Sequence, residues 1–478
     1  MKFKMILFAF MLTGSYINAQ DYRFGKVSVE EVAQKKHPVD SDAHAAILYR
    51  EYKTDFQYAE DDGFYLMTEV FERVKIYDKE GFDWANKAVE LYQTAGSQDE
   101  ELTGLKGYTY SLDSNGKLEE TKLKRDGIFD EEVSKYMELK KFTMPNVSEG
   151  CVIEYQYTIK SPFYSNIDAF RFQERIPVEK SEMRFVSPEY FSFKTHSRGW
   201  IPFKILTEGK TRTMTYRYTV PANPGTRGGR AVASTQTTDV TFKEDVYTVS
   251  MENIPGVKEE KYAGNIDNFM SSLKFELSYT KFPSSNIDSY TTNWEAVSKS
   301  IYDSPSFGDQ LSTKNFFKKD IDALLSGISN PKTKMIKIFE FVKAKMAWNG
   351  YTGFYANEGV KDAYKKGTGN VGDINLMLTA MLRYAGLNAN PVLISTKNHG
   401  VPIFPTRNGF NYVIAGVEIP NGVLLLDASD TFSEVGVLSE KLLNWQGRII
   451  REEGSSAWVP LVPTKPATES IMLSNAKF

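Results

Sequence analysis

Cysteine is almost absent: Cys151 is the only one in 478 residues. A single thiol makes no intramolecular disulfide, so the core alone has to hold the fold. That fits a bacterial periplasm or exterior better than a disulfide-rich animal secretory setting. Histidine is nearly as scarce, with four in the chain. His37, His44 and His196 show no ligand spacing with each other or with carboxylates, so no metal site is expected. There is no phosphate-binding glycine loop and no dinucleotide fingerprint; Gly367 and Gly369 read as a turn before a helix. No cofactor is expected. After the N-terminal residues, no run approaches the roughly 18 apolar residues of a membrane helix, so no transmembrane span is expected in the mature chain.

What is present begins with an export signal. Lys2 and Lys4 form a charged start, residues 5–12 an apolar run, and Asn18-Ala19-Gln20 a small-residue cleavage point. Residues 1–19 therefore read as a signal peptide, and the chain is expected in the periplasm, associated with the outer membrane, or secreted. The net charge is −3, and losing the positive charges of Lys2 and Lys4 makes it −5. A mildly acidic protein is a poor match for nucleic acid.

Aromatic residues make up 13% of the chain, with 27 Tyr and 31 Phe, which favours β-structure. From His44 to Val249 apolar and polar residues alternate, giving strands at 46–52, 65–77, 108–112, 152–159, 167–174, 181–194, 213–220 and 236–251. Asp113-Ser114-Asn115-Gly116 is a hairpin turn. Residues 20–270 are expected to form an antiparallel β-sandwich. The loop 221–230, with Arg227 and Arg230, reads as a solvated connection. Between 264 and 290 the pattern changes to helical, with helices at 294–302, 316–325 and 333–346, and the domain boundary is placed there. A second, α+β domain is expected over 285–450, followed by an extended tail over 451–478 whose Ile471-Met472-Leu473 looks like the start of a further β domain.

The most informative stretch is 366–396. Asn370 is a good N-cap, Asp373 falls in the first helical turn, and Ile374, Met377, Leu378, Met381 and Leu382 make an apolar face. Gly386 is a natural stop and Val392-Leu393-Ile394 a buried strand. Two further segments follow, Phe410-Asn411-Tyr412-Val413-Ile414 and Leu424-Leu425-Leu426-Asp427-Ala428-Ser429.

These three segments resemble the core of the transglutaminase-like superfamily, whose fold is that of the papain-like cysteine proteases. The resemblance implies a nucleophilic cysteine at the helix N-terminus, a histidine base on the second segment and an aspartate on the third. Here Val371 stands at the cysteine position and Tyr412 at the histidine position, and only Asp427 matches. Valine offers no nucleophile. A phenol with a reference pKa of about 10 keeps its proton near neutral pH. The preceding β region, through Tyr65 to Asp78 and Pro145 to Tyr157, resembles a domain of unknown function, DUF3857, that precedes such domains in exported bacterial proteins.

The degenerate triad is therefore expected at Val371, Tyr412 and Asp427, with Asp427 either a relic bonded to the Tyr412 hydroxyl or a contributor to a binding site. Binding candidates are Trp348, Tyr351, Asp373 and Tyr412, with Tyr355 and Phe404 beside them as a lining for the old cleft. Cys151 reads as a packed thiol in the other domain, and His399 as a surface-turn residue. The expectation is an inactive, exported protein that binds a peptide, glycan or protein partner in the envelope. The alternative is a hydrolase or amide-transfer enzyme using Asp373, Asp427 and His399.

Overall fold

The computed structural model describes residues 22–462 except 60–62, 95–97, 135, 166, 221–233, 259, 261–264, 284, 291–292 and 403. The signal peptide, the loop 221–230 and the strand expected at 471–473 lie outside the described residues.

Alternating apolar residues from Ala45 onwards build a large, mostly-β region. Its main sheet has eight strands, in the spatial order Leu206–Val220, Ser234–Ile254, Val178–Pro188, Ala45–Ala59, Gly63–Ile76, Val152–Ser161, Glu101–Leu112 and Leu118–Lys122. A second sheet centres on Ser272–Thr280, which pairs along its length with Phe191–Arg198 and at its two ends with Phe170–Arg171 and Asp288–Ser289. Asn86–Tyr92, Met137–Thr143 and Ile128–Ser134 form a third. Buried Ile47, Phe56, Val74, Ile153 and Phe185 of the main sheet meet Leu273, Phe275 and Leu277 of the second in one core. The Phe185 and Phe275 rings lie 4.4 Å apart, and so do those of Phe56 and Phe191. The abundant aromatic residues thus fill the space between sheets.

Three expectations need correcting. The main sheet is not wholly antiparallel, because Ala45–Ala59 and Val178–Pro188 run parallel. The run at 181–194 is two strands in different sheets, parted after Pro188. The β region does not end at 270, because Ser272–Thr280, inside the interval given to the boundary, is one of its core strands. A helical second core takes up at Trp294.

The face of the main sheet carries buried charge. Glu72 accepts from Arg50 Nε at 2.5 Å, from Lys87 Nζ at 2.8 Å and from the Tyr155 hydroxyl. Burial opposes its ionisation, but Arg50 and Lys87 more than offset this and hold its carboxyl down at about 2. An unfolded glutamate titrates near 4.3. The folded value is depressed, so Glu72 contributes stability above about pH 4.3 that is lost as the pH falls towards 2. Urea unfolding curves across this window should show the loss, and Glu72→Gln should flatten the slope.

The second region has a five-stranded antiparallel sheet ordered Gly422–Leu426, Tyr412–Ile419, Ala389–Ile394, Gln446–Ile450 and Ser456–Pro460. The tail expected at 451–478 therefore includes an edge strand. Pro460 ends it, where a missing N–H is tolerated. The helix Val371–Tyr384 is buried from Val371 to Leu382. It packs on Tyr412–Ile419 and Ala389–Ile394 on one side and on Gly308–Ser312 and Pro331–Lys345 on the other. The two regions touch: Asn265 and Asn268 side-chain amides donate to the carbonyls of Asn398 and Lys397, and the His196 and Phe404 rings stack 4.1 Å apart.

Candidate functional site

The site is organised by the start of the Val371–Tyr384 helix. Asn370 caps it, accepting from Asp373 N at 2.8 Å, while Asp373 Oδ2 accepts from Asn370 N at 3.1 Å. This reciprocal pair is a capping box. Asp373 also accepts from Gly359 N and Glu358 N. Its carboxylate is fully buried and spent on backbone amides, so it offers nothing to a cleft, contrary to the expectation of a binding role. Burial nonetheless raises its pKa, with the backbone donors opposing. Gly372 follows because the Tyr355 carbonyl lies against the first turn; a Cβ there would sit 2.2 Å from that oxygen.

Val371 and Asn375 are one turn apart and share a helix face. Asn375 Nδ2 donates to Val413 O at 3.0 Å and to Asp427 Oδ1 at 2.9 Å, and its Oδ1 accepts from Ala428 N at 2.9 Å. The helix start is thereby tied to the strand bearing Tyr412 and to the segment bearing Asp427. The Tyr412 hydroxyl donates to Asp427 Oδ2 at 2.9 Å and lies 2.8 Å from Ser429 Oγ. Ser429 donates its hydroxyl to Asp427 Oδ1 at 2.6 Å and its amide at 3.0 Å. The Asp427 carboxylate thus receives four hydrogen bonds. The Tyr412 hydroxyl is pushed well above the usual phenol range, first by burial and then by the charge of Asp427.

The network is sealed. Val371, Asn375 and Asp427 are 0% exposed and Tyr412 1%. The Val371 amide, which at a helix N-terminus is a ready anion donor, is taken by the Tyr351 carbonyl at 3.3 Å. Trp348 Nε1 donates to the same carbonyl at 2.8 Å. Lys441 closes the roof, its ammonium 4.8 Å from the Trp348 ring centre and 5.2 Å from that of Tyr412. Trp348 and Tyr351 remain partly exposed, so they form the outer surface of this roof.

The other expected residues lie elsewhere. The side chains of Tyr355 and Phe404 do not line this site: Tyr355, whose carbonyl alone touches the helix start, faces a cavity between the two regions, and Phe404 stacks on His196. His399 lines a small cavity with His196, Arg198 and Lys274. Cys151 is fully buried in the β region, and burial raises its thiol pKa. Asn375, Ser429 and Lys441 were not singled out from the sequence. A lone Asn on an otherwise apolar face, one turn after Val371, is a signal for the first. Among the described residues, no group of three or more His, Cys, Asp or Glu side chains is placed to hold a metal ion. No described helix is long and apolar enough to cross a membrane.

The Transglutaminase-like superfamily profile matches residues 320–428, a span that runs from the helices before Val371 to the residue after Asp427. Most of the chain is similar in fold to the crystal structure of a candidate protease from Parabacteroides distasonis. That match has 12% identity and a TM-score of 0.58, and covers 88% of this chain and 72% of the other. A candidate cysteine protease from Cytophaga hutchinsonii matches with 14% identity over 55% of this chain and 75% of its own, at a TM-score of 0.21. No curated protein matches the chain. The fold and site define a multidomain protein in which a large mostly-β region precedes a transglutaminase-like domain of helices and strands. Of the stretch 366–429 that carries the superfamily resemblance, residues 366–428 fall within the matched span.

Proposed function

We propose that the chain is an exported, catalytically inactive transglutaminase-like protein with a binding or structural role in the bacterial cell envelope. The sealed network around Asp427 carries this reading. At the two positions where the resemblance implies a nucleophile and a base stand a buried valine and a buried tyrosine. The tyrosine hydroxyl is engaged by Asp427 and Ser429. Asp427 holds its neighbours in place and faces no open cleft. Activation of a nucleophile needs a thiol or hydroxyl within reach of a base, and position 371 supplies neither. The β region, with its DUF3857-like runs, and the signal-like residues 1–19 support export.

Turnover assays on the mature protein starting at Gln20 test the reading. Amide hydrolysis of peptide substrates, and incorporation of a primary amine into a glutamine peptide, should both stay at background. Turnover that survives Cys151→Ser but is abolished by His399→Ala or Tyr412→Phe would overturn it in favour of an enzyme.

A further inference from the structure

A cavity of about 500 Å³ lies between the two regions, apart from the Asp427 network. This size suits a small ligand or a few residues of a peptide. Its β-region wall includes four consecutive residues, 274–277, of the strand Ser272–Thr280. Successive strand residues point to opposite faces, so a cavity touching four in a row runs along the strand edge. The short strands on that side pair with Ser272 and Leu273 at one end and Tyr279 and Thr280 at the other, and the cavity lies between them. An edge of this kind receives an extended chain through main-chain hydrogen bonds.

The charges of the wall are unbalanced. The Lys274 ammonium makes no hydrogen bond or ion pair among the described residues, and Glu276, Asp168 and, with opposite sign, Arg198 act on it only through space. Burial lowers its pKa. Arg407, on the opposite wall, donates to the Tyr355 hydroxyl at 3.0 Å. The one carboxylate of the wall, Glu276, is already engaged by His196 Nε2 at 3.1 Å. Tyr92, Tyr290 and Tyr355 add aromatic surface with polar tips. We propose that this cavity binds an extended peptide segment that presents a carboxylate to Lys274 and Arg407. The carboxylate is either the peptide's own terminus or an acidic side chain. The site is independent of whether the transglutaminase-like domain is active, since it shares no residue with the Asp427 network.

The test uses the full mature chain and an equimolar pool of N-acetylated tetrapeptides containing tyrosine or leucine. The pool is prepared as free acids, as C-terminal amides, and as amides carrying one glutamate. Binding is followed by ligand-observed nuclear magnetic resonance. The free acids, the glutamate amides or both should bind at least about tenfold more tightly than the plain amides, the loss expected when a charge-assisted hydrogen bond is removed. Lys274→Met and Arg407→Ala should each abolish most of that preference, and Lys274→Arg should retain it, which separates lost charge from lost fold. Equal binding of acids and plain amides, no binding of any pool, or a preference untouched by both charge-removing variants would overturn the proposal. So would binding of galacturonate or inorganic phosphate in the absence of peptide binding.

Discussion

Replacing Asp427 by alanine should destabilise the protein by about 3–5 kcal/mol. The carboxylate receives the Tyr412 hydroxyl, the Ser429 hydroxyl and amide, and the Asn375 amide, all buried. A buried donor left without its acceptor costs about 1–3 kcal/mol, and four donors of one network add less than their sum. Tyr412→Phe removes one donor and leaves Asp427 three, so it should cost only about 1–2 kcal/mol. Guanidinium unfolding curves of the two variants distinguish these values. A residue kept only for catalysis could be removed with little loss of stability. An unchanged unfolding midpoint in Asp427→Ala would therefore show that the network is not structural.

A second large effect is expected at Arg73, which is 1% exposed at the centre of the main sheet. Its guanidinium donates to Glu31 at 2.8 Å, to Glu154 at 2.8 Å and 3.1 Å, and to the Arg23 carbonyl at 2.8 Å. Glu154 also accepts from Gly25 N and from Tyr110. Glu31 closes a capping box with Ser28 on the helix Val29–Ala33. Arg73 thus clamps the N-terminal segment to the sheet. Arg73→Met leaves two buried carboxylates without their counter-charge, which should cost about 3–5 kcal/mol. Hydrogen exchange in the segment 22–33 should rise with it. Replacing Glu154 as well, in Arg73→Met with Glu154→Met, should recover part of the loss because one orphaned charge goes too. A double variant no more stable than the single would contradict the clamp.

The helix that organises the site was legible because its signals are local. Asn370 and Asp373 form a capping box, and Gly386 lies just past the end with a φ of 80°. The Tyr412–Asp427 hydrogen bond was expected from the superfamily resemblance, which implies a histidine and an aspartate at these two positions. What the sequence hid depends on contacts between distant segments. The parallel pairing of Ala45–Ala59 with Val178–Pro188 leaves no mark in either strand, since alternation is the same in both directions. Leu273, Phe275 and Leu277 do alternate, but the run is short and lies where the helical pattern begins. Lys441 reaches the roof from a short 3₁₀ turn far along the chain, and nothing near it in sequence announces an aromatic partner. Asp373 misled because a first-turn carboxylate looks the same whether it caps the helix or faces a cleft.

The sealed site is tested most directly by a thiol placed at its centre. In a Cys151→Ser background, Val371→Cys puts the only sulfur of cysteine type at the helix start, beneath Tyr351, Trp348 and Lys441. Alkylation with iodoacetamide under native conditions should proceed no faster than the protein opens, and should speed up sharply in denaturant. Rapid labelling of Cys at 371 in the folded protein, at the rate of a free thiol or above, would mean an open cleft with an accessible helix N-terminus and would contradict the structural reading of the site.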